Sequence, residues 1–345
     1  MAVFVTGATG FTGGHLARRI ADSGETVHAL CRPGSDASGL EHPYIKVFEG
    51  QLTEPADIER AMAGCEKAYH VAAVFRTAGH KEDYYRLINV QGTVNVLDAA
   101  RKLDLERVVH CSTGGVHGHI ADPPADENAP FNPGDVYQRT KLEGELVAQE
   151  RIKQGEPISI FRPAGIYGPG DLRLLKLFKT VKNGRFLMFG SGQVHFGMVY
   201  IDDLVDGILL CGEKAEALGE VFILCGPSEP TFEELVQMVA DATGGRAPRF
   251  KLPLKPLLAA AFACEMMCIP LGIEPPIHRR RAHVFMKNRE FTHAKAERLL
   301  GYRPKVDPAE GVRRTAAWYF AKGLLAGDPP QSVRALQGGV TGATP

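Results

Sequence analysis

Short apolar, β-branched runs alternate with helical patterns through the first 163 residues, and this alternation restricts the fold more than any other feature. The runs "AVFVTG", "VHALC", "KAYHVAA", "RVVHCST" and "ISIFRP" are separated by helical patterns over 13–23, 56–63, 82–101 and 137–154. Strands joined through helices lie parallel, and the helices then cover both faces of the sheet. The expected class is therefore α/β, a doubly wound parallel sheet. Further on, "MVYIDD", a helix over about 203–212 and "EVFILCG" supply two more strand-like pieces, expected to return to the sheet or its edge. No internal repeat is visible.

The first strand runs into "VFVTGATGFTGGHLARRI", with glycines at 7, 10 and 13 before a helix. This G-x-x-G-x-x-G spacing is a variant of the dinucleotide-binding turn. Gly7 permits the tight turn, Gly10 lets backbone amides approach a pyrophosphate, and Gly13 lets the helix pack closely on the strand. The helix N-terminus then faces the anion, with Thr9 and Phe11 beside it. At the end of the next strand, "HALCRPGS" has Arg32 where an acidic residue would hold the ribose hydroxyls of NAD. A guanidinium there suits a 2′-phosphate, so NADP(H) is favoured over NAD(H). The expected organisation is a dinucleotide-binding Rossmann domain over 1–170, to which 196–226 returns. A substrate-binding lobe is expected over 171–195 and 227–325, and a flexible tail over 330–345.

In "VYQRTKLEGE", Tyr137 and Lys141 stand four residues apart at the start of a helix. Positions i and i+4 share a helix face, so both are expected to reach into one cleft. A free tyrosine has a pKa of about 10 and is a poor base at neutral pH. A neighbouring ammonium favours the phenolate and makes proton transfer useful. Together with "STGGVHG" at 112–118, "INVQGTVN" at 88–95, "FRPAGIYGPGD" at 161–171 and the glycine turn, the chain resembles the extended short-chain dehydrogenase/reductase superfamily over nearly its whole length. The resemblance implies an NAD(P)-dependent enzyme in which Tyr137 moves a proton and Lys141 holds the nicotinamide ribose. Thr113 would orient the substrate oxygen, and Asn89 would support the active-site backbone. It also places Gln51, Leu52, Ala72, Ala73 and Pro163 along the cofactor, Gln51 standing where the family usually has Asp.

The superfamily includes nucleotide-sugar epimerases and dehydratases as well as reductases of hydrophobic substrates. Gly165 replaces the asparagine, and Phe196 the arginine, with which the sugar-nucleotide enzymes meet a diphosphate. Phe75, Gly165 and Phe196 are thus expected to line an apolar substrate site. "RPAGIYGPGD" and the C-terminal segments resemble most the 3β-hydroxysteroid dehydrogenase and sterol-4α-carboxylate 3-dehydrogenase branch, with dihydroflavonol 4-reductase-like relatives. The expected reaction interconverts a secondary alcohol and a ketone on a sterol-like, polycyclic or long-chain substrate. The alternative is a nucleotide-sugar epimerase/dehydratase that holds its NAD tightly.

Forty basic and forty acidic residues cancel, so no net charge calls for a nucleic-acid partner. Seven cysteines in mostly apolar runs suggest buried thiols in a reducing compartment. With no basic leader before the first strand, a cytoplasmic location is expected. No metal is expected, "HGH" at 117–119 reading as a loop. The apolar segment 254–273 is interrupted by Glu265 and Pro270 and followed by "HRRRAH" at 278–283. It is expected to be a lid helix over the substrate pocket, the alternative being a peripheral membrane contact through 254–283. A homodimer through the helices 82–101 and 137–154 is implied by the resemblance.

Overall fold

The computed structural model describes residues 2–75, 81–268 and 283–336. Its strands are β1 Ala2–Thr6, β2 Thr26–Cys31, β3 Ile45–Glu49, β4 Lys67–His70, β5 Arg107–Cys111 and β6 Ile158–Pro163. They continue with β7 Gly165–Tyr167, β8 Met188–Phe189, β9 Met198–Tyr200, β10 Val221–Leu224 and β11 Lys251–Leu252. Between them lie α1 Phe11–Asp22, α2 Pro55–Met62, α3 Glu82–Arg86, α4 Gly92–Lys102, α5 Val136–Lys153, α6 Leu175–Lys182, α7 Ile201–Glu213 and α8 Phe232–Thr243. Helix α9 spans Leu254–Cys268, and two further helices span Ala294–Leu300 and Pro308–Ala321.

Seven parallel strands form one sheet in the order β10-β6-β5-β4-β1-β2-β3. The chain winds outward from β1 to β3, then returns to β4 on the other side of β1. The reversal between β1 and β4 is a topological switch point, where loops diverge and a crevice opens at the carboxyl ends of the strands. This is the doubly wound Rossmann-type α/β fold expected from the sequence. Helix α1 buries Leu16, Ala17, Ile20 and Ala21 on one face of the sheet, beside α7. On the other face α2, α4 and α5 cover a core that includes Ile58, Met62, Val96, Leu97 and Ala148.

Three departures from the sequence expectations have physical causes. Strand β3, "IKVFE", escaped notice because it is an edge strand whose Lys46, Val47 and Glu49 face solvent, so it lacks an apolar run. "EVFILCG" does join the sheet as β10, but "MVYIDD" does not. Its strand β9 pairs with β7 in a separate two-stranded ribbon. The start of the expected flexible tail is packed: Gln331–Arg334 is helical and Val333 is fully buried. Residues 337–345 lie outside the described residues.

Helix α9 corrects a fourth expectation. Only Ala261 on it is buried, Met266 and Met267 are 60% and 66% exposed, and none of its residues lines the cleft described below. Apolar side chains are spread round it, with Lys255 and Glu265 its charged residues, and its described residues do not cover the pocket as a lid. The basic run at 278–283 lies almost wholly outside the described residues. Among these, no helix is long and apolar enough to cross a membrane.

Helix α5 has the opposite character. Its buried positions are Gln138, Thr140, Lys141, Gly144, Glu145 and Ala148, a mostly polar face turned into the protein. Burying such groups costs free energy unless each finds a partner. Its N-terminus is capped by Asp135, whose carboxylate accepts the Gln138 amide at 2.9 Å.

Candidate active site

The glycine turn forms because two close approaches leave no room for side chains. Gly7 has φ +78°, and a Cβ there would lie 2.8 Å from the Ala72 amide nitrogen. A Cβ on Gly13 would lie 2.2 Å from the Gly7 carbonyl oxygen. The turn is thus pressed against both α1 and the loop after β4. Gly10 precedes α1 without a side-chain cap, so the first amides of the helix open into the crevice. Bare amides in a cradle that a Cβ would fill fit the pyrophosphate of a dinucleotide.

A cleft of about 940 Å³ runs from this turn across the carboxyl ends of the strands. Gly7, Thr9, Gly10, Phe11 and Gly13 line its floor. Arg32, Gln51 and Leu52 lie at one end, Ala72, Ala73 and Phe75 on the loop after β4, and Thr113, Tyr137 and Pro163 at the centre. Gly165 and Phe196 line the far end with Arg289 and Phe291, which the sequence had not indicated. Neither Arg185 nor His195 lines the cleft. Gly165 is fixed by the ribbon: a Cβ there would lie 2.7 Å from the Gly197 carbonyl oxygen.

One expected wall residue is absent. Lys141 is 1% exposed and lies behind the cleft wall, its ammonium donating to the Cys111 carbonyl oxygen. The i+4 position on α5 places the ammonium against the carbonyl at the end of β5, not over the crevice, because the helix packs on the neighbouring β6. Burial lowers the Lys141 pKa, countered by the neighbouring Cys111 and Glu145. Tyr137 does face the cleft, packed edge-on against Phe75 with ring centroids 4.8 Å apart. Thr113 Oγ1 accepts the Gly115 amide at 3.1 Å, which orients its hydroxyl at the end of β5.

Two buried polar networks stand behind this wall. In the first, Asn89 sits in a π-turn, Leu87–Gln91, between α3 and α4. Its side chain accepts the Val74 amide at 2.8 Å and donates to Thr140 Oγ1 at 2.9 Å. It thereby ties the loop after β4 to α5, the supporting role the resemblance suggested. The network continues through Thr93 to His70, whose ring joins Thr93 Oγ1 at 3.1 Å and Thr6 Oγ1 at 2.8 Å. Thr6 also accepts the Ala72 amide at 3.2 Å. The glycine turn, the loop after β4 and α5 are therefore one hydrogen-bonded unit.

Burial and then the Lys141 charge push His70 down to about 3, and His110, 5.4 Å away, is likewise lowered. Both imidazoles stay neutral when folded but take up protons once unfolded. Stability is then fully present above the ordinary histidine value of about 6.5 and is lost as pH falls from there towards 3. Between pH 7 and pH 5 the His70 contribution should fall by about 2 kcal/mol. Urea unfolding at the two pH values measures the loss, and His70→Gln should remove much of it. An identical pH dependence in that variant would contradict the assignment.

The second network centres on Glu145 and Arg162, whose side chains are 0% and 2% exposed. Arg162 Nη2 meets Glu145 Oε1 at 2.5 Å, and Nε donates to both carboxylate oxygens at 3.1 Å. Ser112 Oγ and Gln149 also donate to this carboxylate, the latter at 2.7 Å. Arg162 Nη1 donates to the Glu127 carbonyl at 2.9 Å and to His117 Nε2 at 3.1 Å. Burial and the adjacent Arg162 lower the His117 pKa, which keeps that nitrogen an acceptor. His117, the first histidine of "HGH", is therefore a structural partner of Arg162. No three metal-ligating side chains cluster among the described residues.

The family model for the NAD-dependent epimerase/dehydratase family matches residues 3–225. The chain belongs to this family. It is 32% identical to sterol demethylase protein B of Methylococcus capsulatus over 94% of this chain and 100% of that one. It is 30% identical to the decarboxylating sterol-4-alpha-carboxylate 3-dehydrogenase of Schizosaccharomyces pombe, over 92% of this chain and 97% of the other. Among solved structures it superposes on the dTDP-glucose 4,6-dehydratase DesIV of Streptomyces venezuelae, crystallised with NAD. The TM-score is 0.75 at 26% identity, over 93% of this chain and 97% of that one. Membership carries the extended short-chain dehydrogenase/reductase type and its nicotinamide dinucleotide.

Proposed function

We propose that the protein is an NADP(H)-preferring dehydrogenase/reductase that interconverts a secondary alcohol and a ketone on a sterol-like substrate. The observation that carries this is the apolar lining of the cleft: Phe75 packs on Tyr137, Phe196 and Phe291 line the same cleft, and Gly165 offers no polar side chain there. Arg289 adds a cation to that lining, of the right sign for a carboxylate on the substrate, and the relatives named for sterol-4-carboxylates support such a compound. In the oxidation direction Tyr137 takes the hydroxyl proton while Thr113 holds the oxygen. The bound nicotinamide supplies the hydride acceptor. Lys141, buried behind the wall at the Cys111 carbonyl, would favour the phenolate by its charge.

The preference for the 2′-phosphate rests on Arg32, exposed on the cleft wall at the end of β2, with no acidic residue from Cys31 to Ser35. Arg32→Ala should weaken NADPH binding about tenfold or more and NADH little, read by fluorescence titration. Equal effects on both would remove Arg32 from the site.

Segments 171–195 and 227–325 serve as the substrate lobe. Exposed Leu87 and Leu146, on the helical faces of 82–102 and α5, support a homodimer through those helices. The apolar surface of α9, with the arginines that follow it in sequence, supports a cytoplasmic enzyme that rests peripherally on anionic membrane. A panel of 3β-hydroxysteroids, with and without a 4α-carboxylate, tests the function against UDP- and dTDP-sugars. Reduction of added NADP⁺ by the steroids is expected. Turnover of a nucleotide sugar without net reduction would favour the second reading, in which Arg289 meets a diphosphate.

A further inference from the structure

Arg173 crosses the cleft from the segment that follows β7. Its guanidinium carbon lies 5.5 Å from the centre of the Phe11 ring and 5.7 Å from that of Phe75. Phe11 opens α1, and Phe75 packs on Tyr137 from the loop after β4. A cation supplied from outside the sheet thus bridges the first turn of α1 and the loop after β4, both of which line the cleft.

The side chain is held in place from behind. Its backbone N–H and Nε donate to Asp171 Oδ1 at 2.9 and 2.7 Å, and Nη2 donates to the Ile166 carbonyl at 2.7 Å. The Asp171 side chain is itself 2% exposed, and the Asp171 carbonyl accepts the Tyr319 hydroxyl at 2.5 Å. Among the described residues Nη1 has no hydrogen-bond partner.

Among the described residues three arginines line the cleft: Arg32 at the end of β2, Arg289 beside Phe196, and Arg173. Of these three, Arg173 is the one that stands against the first turn of α1. The partial positive charge of a helix N-terminus amounts to about half an elementary charge, which leaves most of a pyrophosphate's charge uncompensated. A pre-oriented guanidinium with a spare donor matches what remains.

We propose that Arg173 is a cofactor-binding residue whose guanidinium meets the dinucleotide pyrophosphate from the side opposite the α1 amides. The proposal rests on the dinucleotide site described above. A carboxylate on the substrate is the other anion of suitable chemistry, and the test separates the two.

Arg173→Met keeps the aliphatic bulk on the two rings and removes the charge. Calorimetric titration with NADPH, ADP-ribose and adenosine 2′,5′-bisphosphate compares ligands with and without a pyrophosphate. The variant should bind NADPH and ADP-ribose about ten- to a hundredfold more weakly and the bisphosphate as the parent does, with Arg173→Lys intermediate. Unchanged ADP-ribose affinity would overturn the proposal, and a raised KM for a carboxylated steroid would then assign the cation to the substrate. Equal weakening of all three ligands would overturn it as well, pointing to a general disturbance of the cleft. If the parent protein bound none of them, the dinucleotide site itself would be refuted.

Discussion

Tyr137→Phe should lower turnover at least about a hundredfold while leaving dinucleotide affinity close to that of the parent protein. The phenol is the ionisable hydroxyl of the cleft wall that stands against Phe75, and the phenylalanine ring preserves that edge-on contact. Removal of a positioned general acid–base typically forfeits a factor of about 10²–10⁴. Because the hydroxyl acts on the proton in transit and not on substrate binding, the loss should appear in kcat more than in KM. Steady-state rates with a 3β-hydroxysteroid and NADP⁺, alongside a nucleotide titration, measure both. Full retention of kcat would remove Tyr137 from the chemistry.

Glu145→Ala should cost the fold about 3–5 kcal/mol, because it strands Arg162 inside the protein. Arg162 is 2% exposed and makes three contacts of 3.1 Å or less with that single carboxylate. The same carboxylate receives Ser112, whose neighbour Thr113 lines the cleft, so the damage should extend to activity. Glu145→Gln keeps the shape and one acceptor and should be milder. Arg162→Met combined with Glu145→Leu removes both charges and should recover much of the stability of the single variant, since a buried pair is weak support overall. Urea midpoints of the four proteins decide the matter. A single Glu145→Ala variant as stable as the parent would contradict the account.

The sequence disclosed what depends on local pattern. The glycine spacing located the tight turn that opens α1 because the close contacts at Gly7 and Gly13 tolerate no other residue. The strand–helix alternation disclosed the sheet because its central strands are continuous apolar runs. What escaped was set by tertiary surroundings. Strand β3 reads as polar because it is an edge. Lys141 shares a helix face with Tyr137, yet the face is wide enough that one residue meets the cleft and the other the carbonyl at the end of β5. Arg289 and Phe291 reach the cleft wall through main-chain pairing with His195 and Ala125, residues far away in sequence. The polar inward face of α5 was the available clue to the Glu145–Arg162 network: a helix that buries Gln, Thr, Lys and Glu must find partners for them.

Isotope transfer tests the central claim most directly. A 3β-hydroxysteroid deuterated at carbon 3 is incubated with the protein and NADP⁺, and the nucleotide is analysed by mass spectrometry. The account predicts reduced nucleotide carrying one deuterium for each ketone formed. Deuterium that stayed on the steroid, while the protein turned over a nucleotide sugar without accumulating reduced nucleotide, would contradict it.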